Sequence, residues 1–233
     1  SLADKWLINN PDYEKVSIQN ENKITIITQP GEFYTDSSTA KNVVIHPIQN
    51  NDFETTLKLD FSPEDNYQSA GLLIYANDKC LFGLVRRSHS GFGGRILATI
   101  GLNGTSFYEK PLTDTQPDRP VYLKIQKIGS QFHSYFSYDN INFTKFSDVY
   151  TNENLASSQL YAGLYAVNGN NKQGAVPATF ENLAISYNNE KTEIPFATMN
   201  VDVSKLEELI TTAEALNEAD YTEESWKALV TVL

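Results

Sequence analysis

Very short connections between alternating apolar runs constrain this chain more than any other feature. The runs are Val16–Gln19, Ile24–Thr28, Val43–Ile48, Phe53–Phe61, Ala70–Ala76, Cys80–Arg87 and Ile96–Leu102. They continue through Ser106–Leu112, Val121–Ile128, Phe132–Tyr138, Phe143–Phe146, Leu160–Val167 and Ala178–Tyr187. In Val121-Tyr122-Leu123-Lys124-Ile125-Gln126 every second side chain is apolar, which places one face of a strand in a core and the other in water. Asn77-Asp78, Asn103-Gly104, Gly129-Ser130 and Asp139-Asn140 join neighbouring runs, and these residue types accept positive φ at low cost. Parallel strands need crossovers of about a dozen residues or more. The connections here are too short, and no amphipathic helix separates the runs. Two packed antiparallel sheets are therefore predicted, an all-β sandwich.

After Asn188 the pattern changes. Residues 189–200 are polar, contain Pro195, and read as a linker between a sandwich over 1–188 and a helical segment over 201–233. Ser204-Lys205-Leu206-Glu207 has the spacing of a capping box. Leu206, Leu209, Ile210, Ala213 and Leu216 then share one helical face. A second helix starts at Thr222-Glu223-Glu224-Ser225, with acids in its first turn and Trp226, Leu229, Val230 and Leu233 as its apolar stripe. The tail is a short C-terminal helical hairpin, which needs a third helix or the sandwich as packing partner. The chain begins without Met and stops within a helical pattern, and is read as a fragment of a longer protein.

Charge narrows the function. With 18 basic and 29 acidic residues the net charge is −11, the wrong sign for a phosphate backbone or an anionic membrane surface. No run approaches the roughly 20 apolar residues of a membrane span. Cys80 stands alone, so no internal disulfide forms, and its apolar neighbours predict a buried thiol.

Catalytic chemistry is sparse. A glycosidase on such a sandwich needs paired carboxylates about 5 Å apart for retention, and the nearest spacings are Asp12/Glu14 and Asp52/Glu54, each without a further Glu at strand-face spacing. His46, His89 and His133 lie far apart and lack zinc-ligand spacing. Calcium can draw oxygens from scattered loops, and Asp60, Glu181 and Asn182 are the candidates for it. No other cofactor is indicated. Ser90-Gly91-Phe92-Gly93-Gly94 is not followed by a helix and so is no phosphate loop; it reads either as a flexible hairpin tip or as a ligand-facing loop.

Sugar recognition needs flat aromatic faces and planar hydrogen-bonding groups. Arg86, Arg87, His89 and Phe92 supply both within one strand end and loop. Arg86 and Arg87 point to opposite faces of their strand, so one of them at most reaches a groove. Tyr75, Tyr135, Tyr165 and Asn168 are the other candidate ligand-binding residues. For each one alone, an ordinary core-edge or exposed role competes with the functional one.

Two resemblances accompany these readings. Tyr67-Gln68-Ser69-Ala70-Gly71-Leu72-Leu73-Ile74-Tyr75 with Phe82-Gly83-Leu84-Val85, and Tyr122-Leu123-Lys124-Ile125-Gln126-Lys127 with Phe132–Ser137 and Asp139–Phe143, resemble the concanavalin A-like modules attached to bacterial glycosidases. Ala40–Val44 and Phe180–Leu183 fit the same order. The resemblance implies a jelly-roll sandwich over about residues 10–188. Val203–Leu206, Tyr221–Trp226 and Ala228-Leu229 resemble the start of a FIVAR repeat of Gram-positive surface glycosidases. Together, the two segments resemble the sugar-binding modules of streptococcal surface β-galactosidases, which implies terminal galactose or lactose-type ligands. On this reading the chain is a non-catalytic carbohydrate-binding module, secreted or attached to a Gram-positive cell wall, that targets an attached glycosidase to glycans. Its partners are a glycan and the neighbouring domains of its own polypeptide. A structural module that packs on a catalytic domain is the alternative, and an unrecognised hydrolase a second one.

Overall fold

A computed structural model describes residues 2–34, 37–170, 174–198, 204–215 and 222–232. Two compact units divide the chain, Ser1–Thr198 and Met199–Leu233. The strands of the first unit begin with β1 (Leu7–Asn9), β2 (Val16–Asn20), β3 (Lys23–Ile27), β4 (Phe33–Tyr34), β5 (Ser37–Ser38) and β6 (Val43–Ile48). Next come β7 (Phe53–Asp60), β8 (Ser69–Asn77), β9 (Cys80–His89), β10 (Gly94–Asn103), β11 (Ser106–Thr113) and β12 (Val121–Ile128). The last are β13 (Gln131–Ser137), β14 (Thr144–Lys145), β15 (Tyr150–Thr151), β16 (Leu160–Val167), β17 (Pro177–Tyr187) and β18 (Glu190–Glu193), with a short helix α1 (Glu153–Ala156) before β16.

These strands build an antiparallel sandwich, the fold the alternation predicts. One sheet has the order β1-β6-β16-β8-β9-β10-β11. The other runs β14-β13-β12-β7-β17-β3-β2, with β15 on β13 and β18 on β17. Between them lies a core that includes Ile24, Leu57, Leu59, Leu72, Phe82, Leu123, Phe132 and Phe180. Strand alternation sends Leu72 and Ile74 into this core, and sends Leu73 and Tyr75 to the outer face of the seven-stranded sheet. That outer face is not wet. Leu73, Tyr75, Leu81, Val85, Ala98 and Ile100 form a second buried cluster, completed by Phe33 and Ala40. The segment carrying β4 and β5 supplies the cover, and Gly31 donates its N–H to the Gly169 carbonyl at 2.8 Å. β8, β9 and β10 are thus enclosed on both sides, which is why they read as continuous apolar runs rather than alternating ones.

The linker predicted at 189–200 is corrected in its described part. Asn188 and Asn189 both have positive φ and make a two-residue hairpin turn. Glu190–Glu193 then pairs back on β17. Beyond it Phe196 is 0% exposed, its ring 5.2 Å from Trp6. Trp6 Nε1 donates to the Pro195 carbonyl at 2.8 Å, and the Ala3 N–H donates to the Phe196 carbonyl at 2.8 Å. The polar composition that suggested a linker belongs to an edge strand whose side chains are all exposed.

In the second unit, helices α2 (Ser204–Glu214) and α3 (Glu223–Val232) are present. The Thr222 Oγ1 accepts the Ser225 N–H at 3.3 Å, and Lys227 reaches Glu223 at 2.9 Å, one turn apart. Leu209 and Ile210 are exposed. The side chains of the predicted capping box at Ser204–Glu207 lie outside the described residues. No described helix is long and apolar enough to cross a membrane.

Candidate functional site

Where the covering segment ends, the outer face of the seven-stranded sheet opens into a cavity of about 400 Å³, within the size range of small-ligand clefts. Its floor is Tyr165, Ile100 and Val167. Tyr165 is buried, its hydroxyl 2.9 Å from Ser69 Oγ, and burial pushes its phenol pKa up. The hydroxyl therefore stays protonated, able both to donate and to accept.

One wall is Arg87 and Glu109, which lie four register positions apart on β9 and β11 and whose long side chains meet diagonally across β10 in an ion pair. The other is Tyr67 and His89. Tyr67 has φ 70°, a left-handed conformation that costs a residue with a side chain roughly 1–2 kcal/mol. Its N–H is fixed on the Ser88 carbonyl at 2.7 Å, and its ring meets His89 edge-on at 5.0 Å. Gly169, at φ +61°, lies behind it; a Cβ there would come within 2.6 Å of the Tyr67 Cβ. The structure thus holds an aromatic ring, 44% exposed, in a strained backbone setting, a combination found where surroundings over-determine a functional side chain. His89 Nδ1 accepts the Gly91 N–H at 3.1 Å, so the imidazole carries its proton on Nε2, at the cavity wall. Tyr34 and Phe107 complete the rim, 5.1 Å apart and edge to face. Glu32 also lines the cavity and accepts from Asn170 Nδ2 at 2.6 Å. Aromatic faces, one guanidinium and two carboxylates suit a neutral polyhydroxylated ligand.

Of the sequence-predicted residues, Arg87, His89 and Tyr165 line this cavity. Phe92 packs on His89 with centroids 4.4 Å apart and planes tilted by 38°, outside the lining. Alternation allowed only one arginine to face a groove, and that one is Arg87. Arg86 points into the sandwich, 0% exposed, with Nε 2.7 Å from Asp114 Oδ2. Its other nitrogens donate to the carbonyls of Phe61, Arg119 and Gln116, so its role is structural. Tyr75 is on the correct face but lies beneath Phe33 and donates to Asp78 at 2.7 Å. Tyr135 belongs to the other sheet, where the Lys124 and Lys145 ammonium groups lie 5.7 and 5.6 Å from its ring centroid. Asn168 is buried beside the cavity and donates its backbone N–H to the Gln29 carbonyl at 2.7 Å. Neither Tyr75, Tyr135 nor Asn168 lines the pocket.

Of the calcium candidates, Glu181 is shared between two lysines. Lys23 and Lys58 each stand 3.4 Å from a Glu181 carboxylate oxygen, so its charge is compensated within the protein. Asn182 occupies a left-handed position, φ 55°, and serves the bulge of β17. Among the described residues no cluster of three His, Cys, Asp or Glu is placed to hold a metal. Tyr67, Phe107, Glu109, Tyr34 and Glu32 were missed by sequence reasoning. Only Tyr67 carried a local signal, as an aromatic within a turn-rich stretch.

Known structures share the fold. The GH43 protein BlXynB from Bacillus licheniformis superposes with a TM-score of 0.65 at 18% identity, over 78% of this chain and 37% of that one. A xylan β-1,4-xylosidase from Bacillus halodurans C-125 gives 0.64 at 17%, over 80% and 37%. A legume lectin-like domain from Entamoeba histolytica gives 0.53 at 13%, over 78% and 89%. No curated protein sequence matches the chain. The family of β-xylosidase C-terminal concanavalin A-like domains matches residues 1–186, nearly the whole sandwich with its two sheets and its cavity, and the chain belongs to that family.

Proposed function

We propose that this domain is a non-catalytic carbohydrate-binding module that holds a neutral glycan in the cavity between Arg87, Tyr67 and Phe107. The carrying observation is the strained, propped Tyr67 ring lining one pocket with the Arg87–Glu109 pair over a buried floor. Against Glu32 and Glu109 the wall offers one cation, so sugars bearing carboxylates are disfavoured. Both carboxylates are engaged by protein groups, which argues against an acid–nucleophile pair. The first probes are lactose, from the resemblance to galactose-binding modules, and xylo-oligosaccharides, from the xylan named for one similar structure. The same reading places the protein outside the cell, where polysaccharide is found, with the helical unit as a FIVAR-like spacer.

Titration calorimetry on the whole chain tests this. Millimolar-to-micromolar affinity is expected for at least one probe. Arg87→Gln keeps a hydrogen-bond donor for Glu109 but removes the charge and the fork. Since charged bonds are about twice as strong as neutral ones, a loss of about tenfold in affinity is expected, equivalent to about 1.4 kcal/mol. If neither the parent nor the variant binds any neutral glycan, the second reading stands: a module that packs on a glycosidase's catalytic domain. Membership of a family of C-terminal β-xylosidase domains favours that reading independently of the cavity.

A further inference from the structure

The hairpin between β9 and β10 places a third ring beside the cavity wall. Tyr67 and His89 line the pocket; Phe92 does not, yet its ring packs on His89. Ring centroids are 5.0 Å apart from Tyr67 to His89 and 4.4 Å from His89 to Phe92. Tyr67 and Phe92 are both 44% exposed.

The turn carrying Phe92 is built, not merely permitted. Asn66 Oδ1 accepts the Ser90 N–H at 2.8 Å, His89 Nδ1 accepts that of Gly91, and the Gly93 N–H donates to the Ser90 carbonyl at 3.2 Å. Gly93 closes the turn at φ +86°, a conformation glycine takes without strain. Asn66 and Tyr67 are neighbours in sequence, so one short segment orients both ends of the aromatic row. Sequence alone left this loop as either a flexible tip or a ligand-facing one. These bonds favour the second.

We infer that the binding site runs out of the cavity along Tyr67, His89 and Phe92, so that the ligand is an oligosaccharide chain, with one end in the pocket and following units stacked on the row. This rests on the carbohydrate reading of the cavity given above. A pocket alone would take a single terminal sugar and gain nothing from further units. The three rings are angled to one another, at 84° and 38°, but an exposed aromatic face beyond the pocket still rewards an added sugar ring, and tolerates variation in the added units because stacking does not read hydroxyl patterns. The acidic chain excludes polyanions as the extended ligand.

Calorimetry with chain-length series tests the inference on the whole protein, using xylobiose and xylotetraose alongside lactose and a galactose-terminated tetrasaccharide. The tetrasaccharide of the binding series is expected to bind about tenfold more tightly than its disaccharide, the size of one aromatic stacking contact. Phe92→Ala is expected to collapse that ratio toward one, and Phe92→Tyr to restore it. Equal affinity for short and long chains in the parent overturns the inference while leaving the pocket reading in place. So does a Phe92→Ala variant that weakens both lengths equally. Absence of binding at every length in both series overturns the pocket reading itself.

Discussion

Arg86→Ala is expected to destabilise the sandwich by about 3–5 kcal/mol, the cost of stranding a buried partner charge. The Arg86 and Asp114 side chains are 1% and 0% exposed. Asp114 also accepts the Tyr138 hydroxyl at 2.5 Å and the Gln116 N–H at 3.2 Å, while the guanidinium holds three carbonyls from two separate segments. Removing the arginine leaves an uncompensated carboxylate and three acceptors without their donor. Thermal or urea denaturation checks this, and a loss below about 1 kcal/mol would show that the pair is replaceable by water or neighbours. Because the two residues form one network, Arg86→Ala/Asp114→Ala is expected to cost less than the sum of the single variants. The network also explains why Arg86 is the wrong target for testing ligand binding: any lost affinity would follow from lost structure.

A chain cut after Asn188 is expected to lose on the order of 5 kcal/mol, or to fail to fold, because the cut discards two core side chains and an edge strand. Ile194 and Phe196 belong to the inter-sheet core. The Phe196 N–H donates to the Glu21 carbonyl at 2.5 Å, and the Ile194 N–H to the Leu183 carbonyl at 2.8 Å. Trp6 loses both the ring it packs on and its Nε1 acceptor. In the intact chain Phe196→Ala alone is expected to cost about 3–5 kcal/mol, as for other buried aromatics. Denaturation of a chain ending at Thr198 beside one ending at Asn188 separates the two outcomes. Equal stability would mean that the terminal segment is only draped on the surface.

The sheets were legible because period-2 alternation and turn chemistry are local properties. Val43–Ile48, Val121–Ile128 and Leu160–Val167 have the predicted ends to the residue. β18 was not legible through its composition, since Glu-Lys-Thr-Glu has no apolar face; the available signal was the Asn188-Asn189 pair, which was read as polar linker. Long-range partners hid the rest. Alternation separated Arg86 from Arg87 but could not say which faces inward, because that depends on the second sheet. Tyr75 and Tyr165 share a face and Phe33 packs against both, with ring centroids 6.4 and 5.6 Å away, yet only Tyr165 lines the cavity. Glu109 and Phe107 enter the site through the β10–β11 register, and the Tyr67–Gly169 contact spans a hundred residues of chain. None of these leaves a trace in local spacing.

Enclosing β8, β9 and β10 on both faces has a consequence for how such a domain diversifies. The pocket floor is part of a layer locked by two cores, so it cannot adapt without unfolding, and a ligand meets it already formed. Adaptation is confined to the rim, where Tyr34, Tyr67 and Phe107 are carried by the short strand β4, a loop and the edge strand β11. On the carbohydrate reading proposed above, changes there alter which sugar fits while barely touching the free energy of folding, and changes in the floor do the reverse. Selection can therefore tune preference and robustness along nearly independent axes, and drift in ligand choice among descendants of this scaffold should be concentrated in those few rim positions.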